Sequence, residues 1–266
     1  MGWVMYIKEI KMDPVAISLG TLQIRWYGIM AALGFITALF IINRKKAYAH
    51  ITTEQLSDLM TLVIFAGIAG ARALYVLQNW SMFSNNPAEI IRIDHGGLVF
   101  YGGFLCAIAV MIVYCVRKKI SVVKMMDITA PGLAFGHALG RLGCFINGCC
   151  FGKPTSLPWG HVYPEGTLPS QCYHAAPLHP VQLYETFGDL IIFAILFYYV
   201  GRLKKGMIFS IYIILYGTLR FLDEFLRGDH TEFLFGLFTP AQSIGLVLIP
   251  VGIGLLIYFK KQQNDK

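Results

Sequence analysis

Arg141 stands in HALGRLGCFINGCCFG, residues 137–152, a stretch that is otherwise almost free of charge. A guanidinium presents a planar fork of N–H donors that matches phosphate or carboxylate oxygens. Four glycines nearby, Gly136, Gly140, Gly143 and Gly148, remove side chains where a bulky head group would approach the backbone. The residues therefore point either to a phosphate-binding arginine or to a structural one paired with a carboxylate. His137 lies one helical turn before Arg141. It is either a satisfied structural histidine or a proton acceptor beside the phosphate site. A second polar stripe lies in YGTLRFLDEFLR, residues 216–227. At helical spacing Tyr216, Arg220 and Glu224 share one face, and the pairs Arg220–Glu224 and Asp223–Arg227 are each four residues apart.

Six cysteines complete the reactive set. Cys106 and Cys115 fall in an apolar run and read as core residues. Cys144, Cys149, Cys150 and Cys172 cluster at and beyond the end of the Arg141 segment. In an oxidising exterior, one or two disulfides tying the following loop to that segment are the favoured reading. Metal binding with His161, His174 or His179 is an alternative, although C-x4-C-C is not a strong zinc spacing. Reactive thiols are the third.

The elements that must position these residues follow from composition. Of the 266 residues, 56% are hydrophobic and 14% charged, with a mean hydropathy of +0.59. Soluble domains carry about 25% charged residues, so the chain lacks the charges for a soluble skin. The net charge of +7 is held in short clusters between apolar runs. That is the pattern of membrane topology, and it gives no nucleic-acid-binding face. A bilayer needs about 20 apolar residues per helix. Seven stretches qualify, roughly 26–42, 57–78, 97–116, 122–147, 184–201, 207–226 and 240–259. The fourth and sixth carry ionisable residues mid-span and must face protein or a polar cavity.

The expectation is an all-α integral membrane protein, a single polytopic domain over 1–266 with seven transmembrane helices. Its N-terminus is outside and its C-terminus cytoplasmic. With that orientation thirteen of the 22 Lys and Arg residues fall inside, in clusters such as Arg44–Lys45–Lys46 and Arg117–Lys118–Lys119, and six fall outside. No cleavable signal pattern opens the chain, so the first helix is expected to direct insertion. One long outer loop, 148–183, is rich in proline and aromatic residues and reads as a small ordered cap.

The chain resembles the bacterial prolipoprotein diacylglyceryl transferases. The marks are DPVAISLGTLQIRWYG, GGLVFYGG, GRLGCFINGCCFG, HPVQLYE and YGTLRFLDEFLR, in that order. The resemblance implies transfer of diacylglyceryl from phosphatidylglycerol to the lipobox cysteine thiol of a prolipoprotein signal peptide. Glycerol-1-phosphate is released, with no metal or organic cofactor, at the outer side of the bacterial inner membrane. It further implies that Arg141 binds the lipid head group, that Arg220 and Glu224 form a functional pair, and that Tyr27, Tyr216, Asn147 and Gly152 contribute to the substrate site. Three positions depart from the family pattern. Tyr101 stands where a proton-handling histidine is usual, Cys144 where asparagine is usual, and Cys149 where glutamate is usual.

Tyrosine, with a pKa of about 10, is a poor base near neutrality. The proton could instead pass to His137, or Arg220 could favour the thiolate directly. Alternatively the chain could serve another acceptor or lipid. Outside the transferases, the rival reading is a membrane thiol-redox or metal protein built on Cys144, Cys149, Cys150 and Cys172.

Overall fold

The computed structural model describes residues 14–19, 22–84, 86–92, 96–229 and 238–262. Asp13 of the first motif and Lys8, Lys11 and Lys266 of the charge count lie outside the described residues. The chain forms two compact units, one of Asn43–Met125 and one of Met1–Ile42 with Met126–Lys266.

In the Asn43–Met125 unit, helix α1 (Trp26–Ala49) ends and α2 (Thr53–Gln78), the short α3 (Trp80–Phe83) and α4 (Phe100–Arg117) follow. A capping box starts α2: the Thr52 hydroxyl accepts from the Gln55 N–H, and the Gln55 side chain accepts from the Thr52 N–H. Helices α2 and α4 touch through glycine. A Cβ on Gly102 would sit 2.3 Å from the Gly70 carbonyl oxygen, so the two backbones can meet only because neither residue has a side chain. Above this contact Arg72 of α2 is buried. It donates to the carbonyls of Glu89, Ile90, Gly96 and Gly97 at 2.6–3.1 Å. Its guanidinium also lies 5.5 Å from the Tyr75 ring centre and 5.3 Å from that of Phe83.

The other unit opens on a hairpin of β1 (Val15–Leu19) and β2 (Leu22–Arg25), antiparallel with an irregularity between Val15 and Ile17. The all-α expectation did not include it; VAISL and LQIR carry the β-branched residues that favour strands. The hairpin leads directly into α1. Helix α1 then packs against α5 (Val122–Asn147), where a Cβ on Gly34 would lie 3.0 Å from the Gly136 carbonyl oxygen. Next come α6 (Leu168–Tyr173), α7 (Val181–Tyr199), α8 (Met207–Asp223) and α9 (Pro240–Gln262). Buried Asp127 of α5 accepts from the N–H groups of Gly206 and Phe209 at 2.6 and 2.9 Å. It thereby satisfies open donors at the start of α8 and favours its positive end.

Among the described residues five helices are long and apolar enough to cross a membrane: α1, α2, α4, α7 and α9. Helix α8 is 17 residues long. Helix α5, at 26 residues, includes His137 and Arg141. These two are the fourth and sixth of the seven expected stretches. The first stretch runs on as helix to Ala49, because Arg44, Lys45 and Lys46 are good helix formers.

Residues of the segment 148–183 pack on one another and on α5. Phe151, Tyr163 and Leu178 are buried with Phe145 of α5, flanked by Tyr173, Ala176 and Leu183. Isolated bridges Pro154–Leu178 and His161–Leu178 close the segment on itself, and Gly152–Arg227 joins it to the end of α8.

Candidate functional site

Three helices of the larger unit each contribute ionisable residues one turn apart. Helix α5 carries His137 and Arg141, α7 carries Glu185 and Asp189, and α8 carries Tyr216 and Arg220. At the end of α8 the chain tightens into a 3-10 turn, Glu224–Leu226, followed by Arg227. Charges removed from water are costly unless opposite charges meet them, and here they meet in sequence. The Arg141 Nε lies 2.9 Å from Glu185 Oε2, and the Arg220 Nε lies 4.0 Å from Glu185 Oε1. The Arg220 Nη1 lies 2.8 Å from Glu224 Oε2, and the Arg227 Nε lies 3.8 Å from that same oxygen. Arg227 then donates two hydrogen bonds to Asp229, at 2.7 and 3.0 Å. Three guanidiniums and three carboxylates alternate in one chain.

Glu185 is 1% exposed and is the centre of this series. Its Oε1 also lies 3.9 Å from the Nε2 of His137. The other ring nitrogen, Nδ1, meets Asp189 Oδ2 at 2.6 Å. Asp189 is fully buried, so the imidazole is held in a fixed orientation by a carboxylate behind it. The Tyr216 ring packs edge-on against His137, with centres 5.1 Å apart, and stacks on Tyr212 at 5.7 Å. Burial opposes the charge of Arg227. Its bonds to Asp229, together with nearby Cys150 and Glu224, nevertheless hold its pKa above the ordinary arginine value.

The structure thus joins Arg141, His137, Tyr216, Arg220 and Glu224 through α7. The Arg220–Glu224 pair forms as the spacing implied. The Asp223–Arg227 pair does not, because the helix ends at Asp223 and the 3-10 turn swings Arg227 to Glu224 and Asp229. Tyr27, in the first turn of α1, is half exposed. It is brought to the end of α5 by Gly143, whose Cβ would lie 3.4 Å from the Tyr27 Cα, and Arg141 is within its electrostatic reach. Asn147 ends α5, two residues before Cys149.

Gly152 is a joint: a Cβ there would lie 2.4 Å from the His179 carbonyl oxygen. Its N–H donates to that same carbonyl at 3.1 Å. Tyr101 belongs to the other unit, in the first turn of α4, 60% exposed and edge-on to Phe100. All six cysteines are free, so the disulfides favoured from the sequence are not formed.

Sequence reasoning missed Glu185, Asp189 and Arg227. The signal for the first two was present, since two carboxylates four residues apart in an apolar span must share a face and find partners. Arg227 was expected to pair with Asp223, and its burial against Glu224 and Asp229 follows from the 3-10 turn.

Five helices long and apolar enough to cross a membrane, together with a buried arginine–carboxylate chain, define a multi-pass membrane protein with a polar site. The sequence profile of the prolipoprotein diacylglyceryl transferases matches residues 14–258. A phosphatidylglycerol–prolipoprotein diacylglyceryl transferase of Finegoldia magna is 38% identical over 94% of this chain and 97% of its own length. Proteins of the same name from Pseudoalteromonas translucida and Vibrio cholerae are 36% and 33% identical, over 96% and 97% of this chain and 95% of their own lengths. The chain therefore belongs to the prolipoprotein diacylglyceryl transferase family and is a transferase.

Proposed function

We propose that the protein transfers the diacylglyceryl group of phosphatidylglycerol to the lipobox cysteine thiol of prolipoproteins. The observation that carries this reading is the approach of Arg141 and Arg220 to one buried carboxylate, Glu185. An ion pair held by side chains can exchange partners, so the phosphodiester can take up donors of both arginines. In the reaction the thiolate sulfur bonds to the terminal glycerol carbon of the diacylglyceryl group. The carbon–oxygen bond to phosphate breaks, and the electron pair leaves on glycerol-1-phosphate. Negative charge grows on that phosphate, and fixed guanidiniums in a site of low dielectric stabilise it.

The thiol must lose its proton, because the thiolate is the nucleophile. We assign that proton to His137, oriented by Asp189, since a base needs a fixed position as well as a free nitrogen. Tyr101 keeps no proton-accepting role in this scheme. Arg220 is held by Glu224, while Tyr216 packs His137 in place. Tyr27, Asn147 and Gly152 shape the rim on which the lipid head group and signal peptide meet.

The same reading places the chain in the bacterial inner membrane as a single domain of seven helices. The N-terminus and the site lie on the outer side, where the 148–183 cap meets the incoming signal peptide, and the C-terminus is cytoplasmic. Expression in cells depleted of their own transferase tests the function. Restored growth and lipid-modified lipoproteins are expected; a well-expressed, membrane-inserted protein that restores neither would overturn the reading.

A further inference from the structure

Three thiols meet at the end of α5. The Sγ atoms of Cys144, Cys149 and Cys150 all lie within 4.8 Å of one another and are partly buried. Ordinary extended backbone would send the neighbouring side chains of 149 and 150 to opposite sides. Here the Cys149 N–H donates to the Cys144 carbonyl at 3.1 Å, folding the chain back over the last turn of α5. Gly148 and Cys150 are both left-handed, at φ +69° and +62°. That conformation is open to glycine but costs another residue about 1–3 kcal/mol, and it persists where the surroundings enforce it. Gln182 of α7 helps to enforce it by donating to the Cys149 carbonyl at 2.7 Å. A packing cysteine needs no such backbone, and a disulfide would need only two of the three sulfurs.

We propose that Cys144, Cys149 and Cys150 form a three-thiolate site for a soft divalent cation of the zinc type. Zinc–sulfur bonds are about 2.3 Å, so tetrahedral sulfurs stand roughly 3.8 Å apart. No pair of sulfurs here is more than about 1 Å beyond that spacing. Each coordinating thiol gives its proton to solvent. Three thiolates and one divalent ion leave a single negative charge, and Arg227 and Arg141 both act on Cys150 to offset it. The fourth position remains for water or another small ligand. The site does not rest on the transferase reading, and no step of the transfer passes through the ion.

The test uses full-length protein in detergent with its thiols reduced. Cobalt(II) should bind at one ion per chain with strong thiolate-to-cobalt charge-transfer absorption, and zinc should displace it. Cys172→Ser should leave both unchanged, and the Cys144→Ser, Cys149→Ser, Cys150→Ser triple variant should lose them. Wild-type binding no higher than that of the triple variant would overturn the proposal, as would a spectrum without thiolate ligation. Should the triple variant fail to fold, alkylation of wild-type protein followed by mass spectrometry decides. Zinc should shield Cys144, Cys149 and Cys150 but not exposed Cys172, and equal labelling with and without zinc would count against the site.

Discussion

Two arginines in apolar helices, Arg72 and Arg141, show different uses of the same side chain. Arg72 donates to four backbone carbonyls of its own unit and lies against two aromatic rings. Those partners belong to the main chain and cannot leave, so Arg72 ties Glu89, Ile90, Gly96 and Gly97 to α2. Arg141 instead faces Glu185, a side-chain carboxylate shared with Arg220 and His137. Its partner can reorient, and a phosphate can compete with it. A buried arginine held by carbonyls is fixed structure, whereas one held within a carboxylate network is available to an anionic substrate.

Substitutions should separate the two kinds. Arg72→Leu leaves four carbonyls without their donor, which should destabilise the fold by roughly 3 kcal/mol or more. The reading is the melting temperature and the yield of folded protein; an unchanged melt would remove the structural assignment. His137→Ala should leave the fold intact and slow transfer by about 10²-fold near neutral pH. The loss should shrink as pH approaches the ordinary thiol pKa of about 8.5, while Tyr101→Phe should change the rate little. Equal losses in the two variants would contradict the proton assignment.

Glu185→Gln keeps the shape but removes the shared charge, worth about 1.5–3 kcal/mol for a charged hydrogen bond. Transfer should fall at least tenfold with the helices still assembled, and a wild-type rate would demote Glu185 to packing. The smallest effect belongs to the cap. Burial lowers the His161 pKa from its ordinary value of 6.5, and neither ring nitrogen has a hydrogen-bond partner among the described residues. The unfolded chain then binds the proton more readily than the folded one. Stability is full above pH 6.5 and falls as pH drops through the lowered folded value. Melting curves at neutral and mildly acidic pH should differ by a few degrees, and His161→Phe should reduce the difference; an unaltered pH dependence would exclude this histidine as its source.

Much of this contrast was legible in the sequence. Apolar run lengths located the helices, and the i, i+4 spacing in YGTLRFLDEFLR placed Arg220 against Glu224. The role of Glu185 was less visible, because a carboxylate between apolar residues does not reveal which arginines from other helices will reach it. Spacing also failed where the helix stopped: the Asp223–Arg227 pair assumed another turn of α8 that the 3-10 turn replaces. The convergence of three thiols depended on a left-handed Cys150, and left-handed backbone at a non-glycine residue has no reliable sequence mark. The hairpin before α1 was overlooked because its strands are only five and four residues long.

The most direct measurement is transfer of labelled diacylglyceryl from phosphatidylglycerol to a lipobox peptide by purified wild-type and Arg141→Ala protein, each matched for folded content. The arginine–carboxylate account predicts transfer by the wild type and a loss of roughly 10²–10³-fold in the variant. Undiminished transfer by folded Arg141→Ala protein would contradict it.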